Sequence, residues 1–188
     1  MSRLASRAAI GGAGLSFLRW LGIGAEAKPA PAAGDSNSVR AISARLERLD
    51  PQLARYLAAF AYVLARGASA DLTIADAEAG EMRRIVAELA NLAPDEADLV
   101  VEIARSQVRL LGGTENYVVT REFKNLATRV QRAQLLECLF AVAAADGTVS
   151  PAESAEIVAI AEELGFTRPE ANAVRAKYRE RLSEFQKR

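Results

Sequence analysis

The chain contains an internal repeat, in which a stretch of about thirty residues recurs 75 positions later. Residues 60–89 and residues 135–164 align without a gap, and eleven of the thirty aligned positions are identical. A repeat of this kind indicates that one supersecondary unit is used twice, which restricts the possible folds more than any single motif does. The repeat also shows which polar residues both copies retain.

The composition and the periodicity predict an all-α fold. Alanine, leucine, glutamate and arginine are abundant, and aromatic residues make up only 6% of the chain. These are strong helix formers. Before the first acidic loop, Leu53, Leu57 and Leu64 recur with the spacing of one helix face. We expect a compact helical bundle of two similar helical repeats, at about residues 53–111 and 128–186.

The helix boundaries are marked by local signals. Asp50-Pro51 is a start signal, because aspartate caps a helix and proline fits its first turn. Pro94 opens a further helix, and Gly112-Gly113 separates the two copies. Thr167 and Glu170 form a capping box at the start of the last helix.

The chain divides into two regions. Residues 1–37 are predicted to be a leader helix followed by a flexible linker, and residues 38–188 the helical domain. The leader at residues 1–24 carries three arginines and no acid, and its apolar stretch is too short to span a bilayer. Three interpretations stay open: a loosely docked helix, a peripheral membrane contact, or a secretory signal cleaved near Ala25-Glu26-Ala27.

Several classes of site are excluded by composition. The 24 basic residues balance the 24 acidic ones, so the net charge is zero and we expect no nucleic-acid partner. Without histidine, no Ser-His or Cys-His nucleophile can form, and zinc or copper sites are disfavoured. The single cysteine, Cys138, allows no intrachain disulfide, and its apolar neighbours predict a buried, inert thiol. We expect a cytoplasmic protein.

The acidic residues that recur offer one candidate binding site. Each copy places an aspartate after a helix and a glutamate seven residues later, in the first turn of the next helix. Carboxylate oxygens suit hard divalent cations such as Ca²⁺, Mg²⁺ or Mn²⁺. One copy supplies too few oxygens to fill such a shell, so the other copy, loop carbonyls or water would have to complete it. The candidate metal ligands are Asp71, Glu78, Asp146 and Glu153, and no other cofactor is expected.

The same acids also have a purely structural interpretation. Ser150 and Glu153 have the spacing of a capping box, and Asp146-Gly147 is an ordinary turn. The first copy has Ala75 at the position of Ser150 yet keeps Glu78, so its capping box is incomplete. The residues leave capping and cation binding both open.

The acidic loops resemble those of a known family. Residues 145–157 read ADGTVSPAESAEI, with an Asp-Gly turn, a glutamate seven residues after the aspartate and an aliphatic residue four positions later. This pattern resembles that of the tellurite-resistance TerB family. Residues 71–82 match it more loosely, with Leu72 at the glycine position, and residues 115–123 resemble the connection between the family's two helical repeats. The resemblance covers about residues 53–180.

The resemblance implies a compact helical bundle with an acidic, cation-binding cluster and no enzymatic activity. It also implies an association with tellurite and other chemical stress and with membrane-linked protein complexes. We therefore expect a non-enzymatic module with protein partners, in a stress-response or envelope-associated complex. The alternative is a metal-free helical scaffold for protein–protein interaction. The acids that carry over are Asp71, Glu78, Asp146 and Glu153, and less directly Glu81 and Glu156.

Overall fold

The computed structural model describes residues 36–68, 76–108 and 116–186, which form eight α-helices. In chain order the helices are α1 (Ser36–Leu46), α2 (Pro51–Ala68), α3 (Asp76–Ala90), α4 (Pro94–Val108), α5 (Asn116–Leu126), α6 (Arg129–Ala143), α7 (Pro151–Glu163) and α8 (Arg168–Ala176). These ranges contain no β-strand, and a single parallel β-bridge joins Val149 to Leu182. The all-α prediction is confirmed. The predicted leader lies almost entirely outside the described residues.

Helix α2 forms the centre of the bundle. It packs against α4, α5, α6 and α7. Because neighbours surround it, α2 is apolar on nearly every side, and twelve of its 18 residues are buried. Of the predicted core positions, Leu57 and Leu64 are fully buried, and Leu53 is partly buried.

An aromatic cluster fastens α5 to α2. Phe123 of α5 lies 5.5 Å from Tyr56 and 5.8 Å from Phe60 between ring centroids. The contact with Phe60 is edge-to-face, a favourable arrangement for the ring quadrupoles. Phe123 is fully buried. The helix that joins the two copies is therefore part of the core.

Gly67 allows α2 and α6 to approach closely. A Cβ atom at this position would lie 2.3 Å from Leu139 Cδ2 of α6 and 3.8 Å from Ile160 Cδ1 of α7. Real Cβ atoms do not approach other atoms as closely as the first distance. A side chain at Gly67 would therefore push Leu139 out of its place in the core.

Helix α1 is attached to α4 by one arginine as well as by apolar packing. Arg45 Nη1 lies 2.9 Å from a carboxylate oxygen of Asp98 and 2.7 Å from one of Glu102. Its Nη2 donates to the Asp95 carbonyl at 2.9 Å. Ile42 of α1 is buried beneath these contacts. The described part of the domain thus begins with a helix that is integral to the bundle.

Most helix boundaries follow the local signals. The predicted capping boxes at Ser150/Glu153 and Thr167/Glu170 are both present. A third box, in which Thr128 and Gln131 cap α6, was not predicted, although the sequence carries its Thr-x-x-Gln spacing. Both α7 and α8 have proline in their first turn, as expected.

The last helix ends earlier than the predicted second repeat, which extends to residue 186. Helix α8 stops at Ala176, and two 3-10 turns follow, at Arg179–Arg181 and Ser183–Phe185. Residues 177–186 contain neither glycine nor proline, so no local signal stops the helix. Tertiary contacts determine this conformation, because Leu182 is buried against the bundle and bridges to Val149.

None of the described helices is both long and apolar enough to cross a membrane. The predicted buried state of Cys138 is confirmed, since its side chain is fully buried within α6. Burial raises the pKa of this thiol to about 12, so it stays protonated at neutral pH. Cys138 is therefore a core residue and has no reactive thiolate.

The aromatic cluster gives a direct test of the core. Phe123→Ala is expected to lower the free energy of unfolding by about 3–5 kcal/mol, because it removes a fully buried ring and leaves a cavity. The matched control on the same helix is Tyr117→Ala, since Tyr117 is 56% exposed. The control should change stability by less than about 0.5 kcal/mol. Chemical denaturation measures both, and equal effects of the two changes would contradict the assigned packing of α5.

Candidate functional site in the acidic repeat loops

The structure describes three of the four candidate metal ligands. Glu78 lies in the first turn of α3 and is exposed. Asp146 follows α6 and is exposed, and Glu153 lies half-buried in the first turn of α7. Asp71 falls in residues 69–75, outside the described part of the chain. The arrangement of the first acidic loop therefore stays a prediction, whereas that of the second can be followed atom by atom.

The second loop is a tight turn held by Asp146. Its Oδ1 accepts a hydrogen bond from the Thr148 backbone N–H at 3.0 Å. This bond closes an Asx turn, which replaces a backbone turn with a side-chain acceptor. Gly147 has a φ of 100°, a left-handed conformation that favours glycine. The predicted turn role of Asp146-Gly147 is confirmed.

Glu153 caps the helix in which it lies. One of its oxygens, Oε2, accepts from the Ser150 backbone N–H at 2.8 Å. In return, Ser150 Oγ accepts from the Glu153 backbone N–H at 3.2 Å. The negative charge also lies at the positive end of the α7 dipole. The capping interpretation of Glu153 is confirmed, and one of its two carboxylate oxygens is hydrogen-bonded to the backbone.

The less direct candidates, Glu81 and Glu156, each bind an arginine. Glu81 pairs with Arg84 of its own helix through two hydrogen bonds, at 2.6 and 3.0 Å. These bonds lower the pKa of Glu81, which keeps it ionised. Glu156 Oε1 accepts from Arg66 Nε of α2 at 2.7 Å. Both glutamates therefore bind an arginine, but the partner of Glu81 lies in the same helix, whereas the partner of Glu156 lies in α2.

Among the ion-paired side chains in the described part of the chain, that of Arg66 is the most buried. Its side chain is 9% exposed. Besides Glu156, it binds Glu163 through both terminal nitrogens, at 2.6 and 3.0 Å, and donates to Thr120 Oγ1 at 3.0 Å. Burial lowers the pKa of Arg66, but the bonds to Glu163 and Glu156 outweigh it and raise the pKa overall. We call these four residues the Arg66 cluster.

The Arg66 cluster was not predicted from the sequence. One signal was present: seven residues after Glu81 and Glu156, both copies have a further shared glutamate, Glu88 and Glu163. Two acids on one helix face require a cation when that face is buried. In the first copy, Arg84 binds Glu81 and Glu88 at the surface. In the second copy, Arg66 of α2 binds Glu156 and Glu163.

The oxygens of the second loop are largely used by the protein itself. Gln186 Nε2 donates to the Gly147 carbonyl at 3.0 Å, and Thr148 Oγ1 donates to Gln186 Oε1 at 3.3 Å. Across the residues that the structure describes, no group of three or more Asp, Glu, Cys or His side chains is placed to hold a metal ion. The second loop is therefore tied to Gln186 through one carbonyl and one hydroxyl.

Comparison with known proteins adds the family. The model of the family described as tellurite resistance protein TerB matches residues 57–176. The match covers more than half of the chain. The chain belongs to the TerB family. No curated protein and no solved structure matches it.

The TerB match has informative limits. It begins within α2 and ends with the last residue of α8, so it includes both acidic loops and the whole Arg66 cluster. It excludes α1 and residues 177–186. The TerB family is generally non-catalytic, in agreement with the expected absence of an enzymatic role at the level of the family.

Two substitutions separate capping from cation binding at Glu153. Glu153→Gln is expected to change metal-free stability by less than about 0.5 kcal/mol, because glutamine also completes the capping box. Ser150→Ala should cost about 1 kcal/mol, because it removes the N-cap acceptor.

Thermal unfolding with and without millimolar Ca²⁺ or Mn²⁺ checks this prediction. On the capping interpretation neither cation raises the Tm. A rise that Glu153→Gln abolishes and Ser150→Ala preserves would show that Glu153 is also a ligand, because only a ligand of the folded state links cation concentration to stability.

Proposed function

We propose that this TerB-family chain is a non-catalytic protein-interaction module that acts in a stress-response complex of the tellurite-resistance type. The observation that carries the proposal is that the described acids serve the fold. Glu153 caps α7, and Glu156 and Glu163 bind Arg66. Acids with these partners stabilise a rigid helical surface, which is what an interaction module presents.

Helix α5 provides a surface suited to a protein partner. Tyr117 and Val118 are adjacent in its first turn and are 56% and 42% exposed. The opposite face of the same helix is fixed in the core by Val119 and Phe123, which are fully buried. A tyrosine on a rigid helix offers a large contact area at a small cost in conformational entropy, and aromatic residues are enriched at interfaces.

Weak cation binding at the acidic loops is the second candidate function. The observation that favours it is the exposure of Asp146 and Glu78, one from each loop. An exposed carboxylate beside a carbonyl and a hydroxyl supplies oxygen ligands of the kind that Ca²⁺ and Mn²⁺ accept. Contact of residues 1–24 with a membrane also stays a prediction, since these residues lie outside the described ranges.

The interaction proposal is tested in cells that carry the gene. The full chain with an affinity tag is crosslinked before and after exposure to tellurite, and is then purified. We expect it in a protein complex much larger than its own 20.1 kDa. Tyr117→Asp should lower the recovered partner by roughly tenfold, because it places a charge in the contact.

The matched control is Asn172→Asp, a change to aspartate at an exposed position of α8. It should leave partner recovery unchanged. Recovery of the crosslinked chain as a monomer, with and without tellurite, would contradict the proposed function. Equal losses for both variants would remove α5 as the contact surface.

A further inference from the structure

The segment after α8 folds back onto the second acidic loop, and we call residues 179–186 the strap. Its main chain pairs with the loop: the Val149 N–H donates to the Arg181 carbonyl at 2.7 Å, and the Ser183 N–H donates to the Val149 carbonyl at 3.0 Å. Between these bonds, Leu182 is only 2% exposed. The strap therefore occupies a built site with a backbone-pairing edge and an apolar pocket.

A charged pair fixes the direction of the strap. Glu184 forms an ion pair with Arg175 of α8. Arg175 is itself held in place, because its Nε donates to Ser154 Oγ at 2.7 Å and Ser154 is buried. The side chain of Glu184 thus meets a positioned guanidinium, which is a suitable partner for a carboxylate.

The two residues that precede the strap are anchored to α6. Tyr178 stacks on Phe140 of α6, with ring centroids 5.9 Å apart and planes at 17°. Lys177 pairs with Glu137 of the same helix. These contacts hold the end of α8 without any residue of the strap.

Two observations set the strap apart from the rest of the domain. It lies beyond residue 176, where the TerB match ends. Its residues are also mainly good helix formers, with no glycine or proline, so the local preference is to continue α8. The observed conformation depends on contacts with the loop and α8. A segment that supplies the same contacts can take them over.

We propose that the surface beneath the strap, formed by Gly147, Val149 and Arg175, is a peptide-binding site that the strap fills in the free protein and that an extended segment of a partner protein fills in the complex. The backbone bonds accept any extended peptide, as in strand addition to an exposed edge. Specificity comes from an aliphatic residue in the place of Leu182 and an acidic residue two positions later. This inference rests on the proposed interaction function and names the chemistry of its partner.

The test uses a fluorescent peptide with the strap sequence RERLSEFQ and full-length protein. Two variants release the strap in different ways. Leu182→Glu empties the apolar pocket, and Ser183→Pro removes the N–H that donates to Val149. Fluorescence anisotropy should show that the peptide binds both variants at least about tenfold more tightly than the wild type, because the strap no longer competes.

A charge exchange tests the assigned pocket. Combining Arg175→Glu with Ser183→Pro should abolish binding of the strap peptide, and a peptide that carries Glu184→Arg should restore it. Sedimentation must show that the released variants remain monomeric. Dimers formed by exchanged straps would overturn the partner proposal in favour of a second copy as the occupant.

Equal binding to wild type and both variants, no binding to any of them, or failure of the charge exchange would also overturn the inference. Such a failure is distinguishable from failure of the proposed function. If the complex still forms in cells, only the peptide-binding site is wrong. If the chain is recovered there as a monomer, the interaction function itself is wrong.

Discussion

The burial of one positive charge determines how the second half of the bundle is assembled. Arg66 lies on the central helix α2, and its side chain is 9% exposed. An isolated guanidinium in such a place is costly, and removing one partner from a buried ion pair costs about 3–5 kcal/mol. Glu163 and Glu156, whose side chains are 20% and 43% exposed, lie on the side of α7 that faces Arg66, and their ion pairs with it constrain the rotation of α7 about its axis. The loop before α7 and the strap that pairs with it depend on this orientation.

The repeated acids have the same spacing in both copies and different roles. Glu81 and Glu88 bind Arg84 at the surface of α3, where ion pairs contribute little to stability. Their matches Glu156 and Glu163 bind Arg66 near the core. A shared residue in a repeat therefore does not establish a shared function. This difference favours a structural role for the acids over a symmetric pair of cation sites.

The sequence predicted the parts of the fold that depend on near neighbours. Helices α2 and α4 begin at the predicted Pro51 and Pro94, and the boxes at Ser150 and Thr167 close over three residues. The Arg66 cluster escaped prediction because Arg66 and Glu163 are 97 positions apart. The strap was missed for a related reason, since its local preference is helical and contacts with the distant loop override it.

The second acidic loop belongs both to the candidate cation site and to the proposed peptide-binding site. The Gly147 carbonyl accepts from Gln186 at the end of the strap, and the Thr148 hydroxyl donates to the same residue. The loop that supplies the candidate cation ligand Asp146 is therefore also the loop on which the strap lies.

The coupling free energy between Arg66 and Glu163 tests the structural role of the acids most directly. A double-mutant cycle with Arg66→Met and Glu163→Gln, followed by urea denaturation, isolates this pair. The matched control is the cycle for Arg84 and Glu88, an ion pair of 2.7 Å at the surface of α3, against 2.6 Å for the inner pair. We expect a coupling of about 1–3 kcal/mol for the inner pair and less than about 0.5 kcal/mol for the control. Additive effects at Arg66 and Glu163 would contradict the claim that this ion pair organises the fold.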